Sequence, residues 1–330
     1  MQGIVVIGLG SMGRRRIRLL KSEVDNSQYL IMGVDTSSER REQATREFKI
    51  ETYDSLERVL KKENVNIQMA IISTSPLSHS TLIRQCLNAG LHVFTELNLV
   101  EDGYQENIKL AQQVNKVLFL SSTFLYREEI NYIKNLLSER KGIVHYTYHI
   151  GQYLPDWHPW ENYQNFFVGD NRTNGCREIF AIELPWLQKA FGKIVNVKVQ
   201  KTKSTNLAIN FFDTYQVLLE HSGGTMGALQ VDVVSRKAVR NLEIYGENIY
   251  LSWDGTPTGL KLYDFENKQD ISVKLYENAE HIEGYSSFII ENAYRSELNA
   301  FLSEVAGKKQ AKYTFEDDLE TLCIIDRIES

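Results

Sequence analysis

Short runs of apolar residues alternate with amphipathic stretches up to residue 121 of the chain. The apolar runs have the length and composition of strands buried in a parallel sheet, and they lie at residues 4–7, 29–34, 68–72, 91–95 and 117–121. The intervening stretches predict helices that begin after Ser37 or Ser38, after Asp54, after His79 and near Tyr104. The order predicts a parallel sheet with helices on both faces.

Beyond residue 144 the pattern changes to longer strands without helices between them. Residues 144–150, 195–203, 213–220, 224–234 and 241–246 look extended, and several of them alternate apolar and polar positions. The segment from His221 to Gly224 predicts a hairpin turn, and residues 285–305 and 316–327 predict amphipathic helices. We therefore expect two domains, residues 1–122 and residues 123–330, the second an α+β domain with a large, mainly antiparallel sheet.

A glycine-rich turn directly follows the first apolar run. In such a turn the first glycine allows a tight bend, the second lets the backbone approach a pyrophosphate, and the third lets a helix pack close to the strand. Asp35 ends the second strand about twenty residues later, where a carboxylate accepts hydrogen bonds from the adenosine ribose. These features predict a Rossmann domain that binds NAD, because a 2′-phosphate would be repelled by Asp35. The predicted cofactor-binding residues here are Gly8, Leu9, Gly10, Ser11, Met12, Gly13 and Asp35.

Composition and charge are typical of a globular protein and argue against proteins that bind nucleic acid or anionic membranes through a general positive charge. Hydrophobic residues make up 42% and charged residues 24% of 330 residues, and the net charge of -6 gives no general attraction to nucleic acid or to an anionic membrane. Three cysteines, far apart and odd in number, suggest neither a disulfide framework nor a metal site. Without a signal peptide or a membrane-spanning run, we expect a cytoplasmic protein. The arginines at positions 14, 15, 16 and 18 are expected to form a solvated helix face, or one of them contacts the cofactor phosphates.

Four landmarks resemble the Gfo/Idh/MocA family of glucose–fructose oxidoreductases and inositol dehydrogenases. They are the glycine loop, a Ser-Thr-Ser-Pro segment with a following histidine, a strand that ends in glutamate, and a Tyr-Arg pair after the last Rossmann strand. The resemblance implies cofactor contacts from Ser73, Thr74, Ser75, Pro76, His79, Glu96, Leu97 and Asn98, and substrate contacts from Tyr126 and Arg127. It also implies self-association through the second sheet, as a homodimer or homotetramer.

Two departures from the family pattern concern the reaction itself. After the glutamate, members of the family usually have a catalytic lysine and then a proline, whereas this chain has Leu97 and Asn98. The family's aspartate and the histidine four residues later correspond to Glu178 and Ile182, or, with a shift of one residue, Glu183 takes the histidine position. In either register the usual lysine and histidine are missing, so the acid/base groups must differ from those of the family's better-known members.

The segment from Gly151 to Tyr163, which joins the parallel-sheet part of the chain to the later strands, is rich in polar and aromatic residues. We take Glu178, Glu183 and His158 as candidate catalytic residues. Arg172 and Arg177 are candidates for holding a substrate carboxylate or phosphate, or for structural ion pairs. Trp157 and Tyr163 are candidates for stacking on a sugar ring, or for core packing.

The leading hypothesis is an NAD-dependent oxidoreductase that acts on a small sugar or sugar derivative with a non-standard acid/base set; NADP is disfavoured as cofactor. The segment from Gly151 to Tyr163, with Cys176 to Ile179, also resembles a subgroup of the family associated with surface sugars of the sialic and legionaminic type. The alternative hypothesis is a regulatory protein that binds NAD or a sugar without turnover, which the leucine at position 97 favours.

Overall fold

The computed structural model of the protein describes residues 1–157, 162–282 and 286–330. These residues divide into two compact units. The first unit is Met1–Ser122 with Arg295–Asp318, and the second is Thr123–Tyr294 with Leu319–Ser330. Among the described helices, none combines the length and the hydropathy needed to cross a membrane.

The first unit contains a parallel sheet of six strands in the order β3-β2-β1-β4-β5-β6, with every pairing parallel. The strands are β1 (Gln2–Ile7), β2 (Tyr29–Val34), β3 (Glu51–Tyr53), β4 (Asn66–Ile72), β5 (His92–Thr95) and β6 (Leu118–Leu120). The connecting helices are α1 (Ser11–Glu23), α2 (Ser38–Phe48), α3 (Leu56–Leu60), α4 (Pro76–Asn88) and α5 (Tyr104–Gln113). The predicted Rossmann sheet is confirmed, and its strand order reverses between β1 and β4, where such sheets bind ligands.

Two predicted helix starts in this unit were wrong. Helix α4 begins at Pro76 rather than after His79, because a proline at the first helical position has a suitable φ and lacks an N–H that would have no partner there. Helix α3 is capped by Ser55 rather than by Asp54 and ends at Leu60. The Asp54 carboxylate instead forms an ion pair of 3.0 Å with Arg58, one turn later.

The second unit contains a sheet of eight strands in the order β14-β13-β12-β11-β7-β10-β9-β8. The strands are β7 (His145–Gly151), β8 (Ile194–Thr202), β9 (Thr214–His221), β10 (Met226–Asp232), β11 (Val239–Gly246), β12 (Ile249–Trp253), β13 (Lys261–Asp264) and β14 (Gln269–Ser272). The only parallel pairing within these described strands joins β7 to β10, so the sheet is mixed but mostly antiparallel, as predicted. The predicted turn after His221 joins β9 to β10.

Two helices belong wholly to the second unit, α6 (Glu128–Ser138) and α7 (Gly175–Phe191). Helix α7 covers one face of the eight-stranded sheet. Its Phe180 ring packs edge-on against Tyr215 with 5.4 Å between ring centroids, and its Trp186 ring packs in the same way against Tyr148 at 5.7 Å. These aromatic contacts form the core of the unit and fix which face of α7 points towards the sheet.

The last two helices, α8 (Glu291–Val305) and α9 (Phe315–Glu329), span the boundaries between the units along the chain. The prediction of a helix from residue 285 was wrong at its start, since α8 begins at Glu291. The part of α8 within the first unit contributes Phe301, which packs edge-on against Phe94 and Phe119 at 5.6 and 5.7 Å. The core of the Rossmann unit therefore includes residues from near the end of the chain.

Candidate functional site

The loop between β1 and α1 has the close approaches that the glycine pattern predicts. Gly8 has φ of +92°, and a Cβ there would lie 2.6 Å from the Ser73 carbonyl oxygen. A Cβ on Gly13 would lie 1.8 Å from the Gly8 carbonyl oxygen, so only glycine allows α1 to pack this close to the strand end. A Cβ on Gly10, by contrast, would have no heavy atom within 4 Å, and Gly10 caps α1 without a side-chain hydrogen bond.

This arrangement fits a dinucleotide. The open space over Gly10 lies at the N-terminus of a thirteen-residue helix, where backbone N–H groups and the helix dipole favour a phosphate. Ser11 and Met12, the first two residues of α1, are partly exposed beside it. Leu9 is buried, and its backbone N–H donates to Asp35. The loop would therefore hold a pyrophosphate through its backbone, as predicted.

Asp35 ends β2 and is nearly buried, with 8% of its surface exposed. Its Oδ2 accepts the N–H of Leu9 at 2.7 Å, and its Oδ1 accepts the N–H of Ser37 at 2.8 Å. Each carboxylate oxygen can accept a second hydrogen bond, so ribose hydroxyls would still find acceptors here. The Arg40 guanidinium, 4.0 Å from Oδ2, balances part of the negative charge. The same carboxylate thus shapes the glycine loop and keeps acceptor positions that a ribose could use.

The segment after β4 is the second loop at this sheet edge. Ser73 donates its backbone N–H to Ile7 at 2.7 Å, and Thr74 and Ser78 share a hydrogen bond of 2.7 Å between their hydroxyls. Ser75 caps α4, whose first residue is Pro76. The buried His79 ring lies in the first turn of α4, with Nε2 at 3.0 Å from the Thr74 carbonyl oxygen. The His79 side chain is therefore buried against the loop and contacts its backbone rather than solvent.

Glu96, after β5, belongs to a buried charge network that sequence reasoning missed. Arg16 of α1 is fully buried and contacts both oxygens of Glu96, at 2.6 and 2.9 Å. It also donates to Glu297 of α8 at 2.7 Å, and Glu297 accepts the N–H of Ser122 at 2.7 Å. The expectation of a solvated arginine face was wrong for Arg15 and Arg16, which are 2% and 0% exposed. No local pattern could have shown this, since Arg16 and Glu297 are 281 residues apart.

The two residues that replace the family's lysine and proline have different surroundings. Leu97 is partly exposed and offers no group that could exchange a proton. Asn98 is buried, and its Oδ1 lies 2.5 Å from His79 Nδ1. Asn98 also hydrogen-bonds the Tyr104 hydroxyl, which donates to Asp318 at 2.5 Å. Asn98 therefore links the loop after β4 to the buried acid of α9 within the first unit.

In the second unit the two candidate glutamates of α7 lie on different faces of the helix. Glu183 is fully buried, and its Oε2 accepts hydrogen bonds from Tyr148 at 2.8 Å and Trp186 at 2.7 Å. Its Oε1 lies 2.7 Å from an Arg240 guanidinium nitrogen. Glu178 is partly exposed and shares its face with Ile182, four residues later.

The Glu178 carboxyl differs from that of Glu183 in having no polar partner in the part of the chain that the structure describes. Desolvation by the surrounding protein raises the pKa of Glu178 to about 7. A carboxyl with a pKa near neutrality can both accept and release a proton under physiological conditions. Glu178 therefore has the properties of a general acid/base, whereas Glu183 has those of a buried partner of Arg240.

The predicted substrate-binding arginines are largely occupied by protein acceptors. Arg127 is 2% exposed, forms a bidentate pair with Glu129 and donates to the carbonyls of Phe288 and Gly255. Arg177 is buried and contacts Glu329 and Asp326 of α9, not Glu178. These contacts support the structural alternative for Arg177, and they leave Arg127 with few donors for a substrate.

The remaining predicted residues have less specific surroundings. Arg172 is exposed, and Tyr126 is buried. Trp157 is partly exposed, with Cη2 at 3.4 Å from a Cβ built on Gly175 of α7. The Tyr163 hydroxyl accepts the N–H of Ala208 at 3.2 Å. His158 lies outside the described residues.

Two solved structures have a fold similar to that of almost the whole chain. Levoglucosan dehydrogenase in complex with NADH and L-sorbose superimposes with a TM-score of 0.81, covering 99% of this chain and 96% of that one at 13% identity. UDP-N-acetylglucosamine 3-dehydrogenase from Acidithiobacillus ferrooxidans gives a TM-score of 0.74, covering 99% and 97% at 16% identity. At these identities the likeness shows the fold alone.

The amino-acid sequence is similar to that of a curated protein over part of its length and to one family model. Biliverdin reductase A of Mus musculus is 33% identical over 150 residues, which are 44% of this chain and 48% of the mouse protein. The chain thus matches about half the length of this curated relative. Residues 2–122 match the family model described as oxidoreductase family, NAD-binding Rossmann fold, GFO_IDH_MocA. Residues 2–122 are therefore similar to the NAD-binding Rossmann domain of the Gfo/Idh/MocA oxidoreductase family.

Proposed function

We propose that the protein is an NAD-dependent oxidoreductase that acts on a sugar or sugar derivative and uses Glu178 as its acid/base group. The observation that carries this proposal is the partnerless carboxyl of Glu178 within the described residues, whose pKa is raised to about 7. It occurs in a chain whose glycine loop and Asp35 fit a dinucleotide. A bound NAD would supply hydride transfer.

The role of Glu178 follows from its ionisation. When a hydroxyl is oxidised, the carboxylate form takes the hydroxyl proton; when a carbonyl is reduced, the acid form returns it. With a pKa of about 7, both forms are present at neutral pH. Because leucine and isoleucine occupy positions 97 and 182, neither of the family's usual lysine and histidine is available, and Glu178 performs both tasks alone.

The test is the replacement Glu178→Gln, which keeps the size of the side chain and removes its proton exchange. Turnover with the best substrate from a panel of neutral, amino and acidic sugars, followed by nicotinamide absorbance, should fall by at least about a hundredfold. NAD affinity should be unchanged, since no described cofactor-loop residue is altered. The exposed Glu220→Gln, a change of equal charge on β9, is the matched control and should retain full turnover.

The pH profile separates this proposal from a structural role of Glu178. Wild-type turnover in the oxidative direction should rise with pH through about 7, as the carboxylate forms. Full activity of Glu178→Gln, or an unchanged profile, would exclude Glu178 as the acid/base group. Absence of any change in nicotinamide absorbance over the whole panel, with NAD bound, would instead favour a regulatory binding protein.

A second candidate function is the reduction of a conjugated compound such as biliverdin. The 33% identity to mouse biliverdin reductase A favours it. Oxidation of NADH with biliverdin, but with none of the sugar panel, would select this candidate over the first.

We also propose that the uncovered face of the eight-stranded sheet mediates self-association. Leu218 and Met226 lie on this face, and each is 59% exposed. The replacement Leu218→Glu should shift the protein to a monomer in light scattering, because it introduces a charge into an apolar contact. An unchanged mass would place the interface elsewhere.

A further inference from the structure

Arg240 of β11 is a largely buried cation of the second unit, and among the described residues it has fewer protein acceptors than Arg127 or Arg177. Its side chain is 12% exposed, and one terminal nitrogen lies 2.7 Å from Glu183 Oε1. The guanidinium carbon lies 4.5 Å from the ring centroid of Phe124 and 5.8 Å from that of Phe288. The two rings hold the planar group in a fixed orientation, which favours recognition of a planar anion.

Within the part of the chain that the structure describes, Arg240 contacts few acceptors for its N–H donors. A guanidinium carries five N–H donors, and Glu183 is the one acid that contacts this one within the described residues. Its Nε is buried without a hydrogen bond there. Arg127 and Arg177, in contrast, each contact several protein oxygens. A buried donor without an acceptor costs free energy unless a ligand provides the missing partner.

Glu183 fixes the position of Arg240 but contacts only one of its terminal nitrogens. Tyr148 and Trp186 both donate to Glu183 Oε2, which leaves Oε1 for the guanidinium. These two hydrogen bonds stabilise the buried carboxylate independently of Arg240. Glu183 is therefore a positioning residue that orients the guanidinium, and the remaining N–H groups of Arg240 can pair with a second carboxylate.

We infer that Arg240 binds a carboxylate of the substrate and so selects acidic substrates over their neutral counterparts. The inference rests on the proposed oxidoreductase function, but binding can be measured without turnover. Two sources could supply the carboxylate: an acidic sugar, or a tetrapyrrole such as biliverdin, which carries two propionates. Both offer the planar oxygens that a guanidinium pairs with in two parallel hydrogen bonds.

The experiment measures calorimetric affinities of the NAD-loaded full chain for two matched pairs of probes. D-glucuronate and D-glucose differ at C6, and biliverdin and its dimethyl ester differ in their carboxylates. Wild type should bind the acid of one pair at least about tenfold more tightly than its neutral counterpart, as expected for a charge-assisted hydrogen bond. The pair that shows the preference identifies the source of the carboxylate.

Three variants test whether Arg240 causes the preference. Arg240→Gln should abolish it, and Arg236→Gln, the same charge change at a 70% exposed side chain nearby in sequence, should preserve it. Since Arg240→Gln leaves Glu183 unpaired and can lower stability, the double variant Arg240→Gln with Glu183→Gln repeats the measurement without the orphaned charge. Equal affinity for acid and neutral probes in the wild type, or a preference that survives in Arg240→Gln, overturns the inference. Acid-selective binding without any redox turnover would refute the proposed function alone.

Discussion

The two glutamates of α7 predict opposite effects of the same substitution on stability. Glu178 has a raised pKa, so the folded state prefers its acid form. Its favourable contribution is complete below the ordinary pKa of 4.5 and is lost as the pH rises through about 7. Glutamine imitates the neutral acid at every pH. The variant Glu178→Gln should therefore match wild type in acid and exceed its stability in base.

The size of the effect follows from the change in pKa. A rise from 4.5 to about 7 corresponds to about 3 kcal/mol, at about 1.4 kcal/mol for each pH unit. Glu178 is partly exposed, and solvent screening reduces this figure, so we expect Glu178→Gln to be more stable by about 1–3 kcal/mol at pH 9. At pH 5 the difference should be no more than about 0.8 kcal/mol.

The assay is urea denaturation of both proteins at pH 5 and pH 9, with folding followed by tryptophan fluorescence. Glu183→Gln is the comparison on the same helix, and it should lower stability by about 3 kcal/mol or more at both pH values, because it leaves Arg240 buried without its charged partner. An equal stability difference for Glu178→Gln at the two pH values would refute a raised pKa at this carboxyl, and with it the acid/base assignment.

Two further predictions concern the Rossmann unit. Gly13→Ala should destabilise the fold by at least about 1–3 kcal/mol, because the added methyl group would lie 1.8 Å from a carbonyl oxygen. Gly10→Ala should keep the wild-type melting temperature, but its affinity for NAD should fall about tenfold or more. Thermal denaturation and calorimetry on both variants check this, and equal behaviour of the two would contradict it. Glu297→Ala should lower the free energy of unfolding by about 3–5 kcal/mol, because it leaves buried donors unpaired. The control Glu106→Ala, at an exposed position, should change it by less than about 0.5 kcal/mol, and urea denaturation measures both. A small effect at Glu297 would mean that the buried charge network does not stabilise this unit.

The features that depend on local physics could be predicted from the amino-acid sequence alone. The β1–α1 loop required Gly8 and Gly13 because of close backbone approaches, and each involves residues near in sequence or at a neighbouring strand end. Continuous apolar runs predicted the strands of the first sheet, which are buried on both faces, and alternating apolar and polar positions predicted several strands of the second sheet. Asp35 could be placed because the end of a strand fixes where its next side chain lies.

The ionisation and pairing of the charged residues, in contrast, depend on contacts that the fold creates. Glu178 and Glu183 have the same chemistry and lie five residues apart, and their difference arises from the residues that surround each carboxyl. Arg16 and Arg240 are equivalent to surface arginines in the sequence, yet one is neutralised by an acid 281 residues away and the other lies close to two aromatic rings. Ionisation and hydrogen bonding depend on desolvation and on partners brought together by the fold, and no local pattern encodes either.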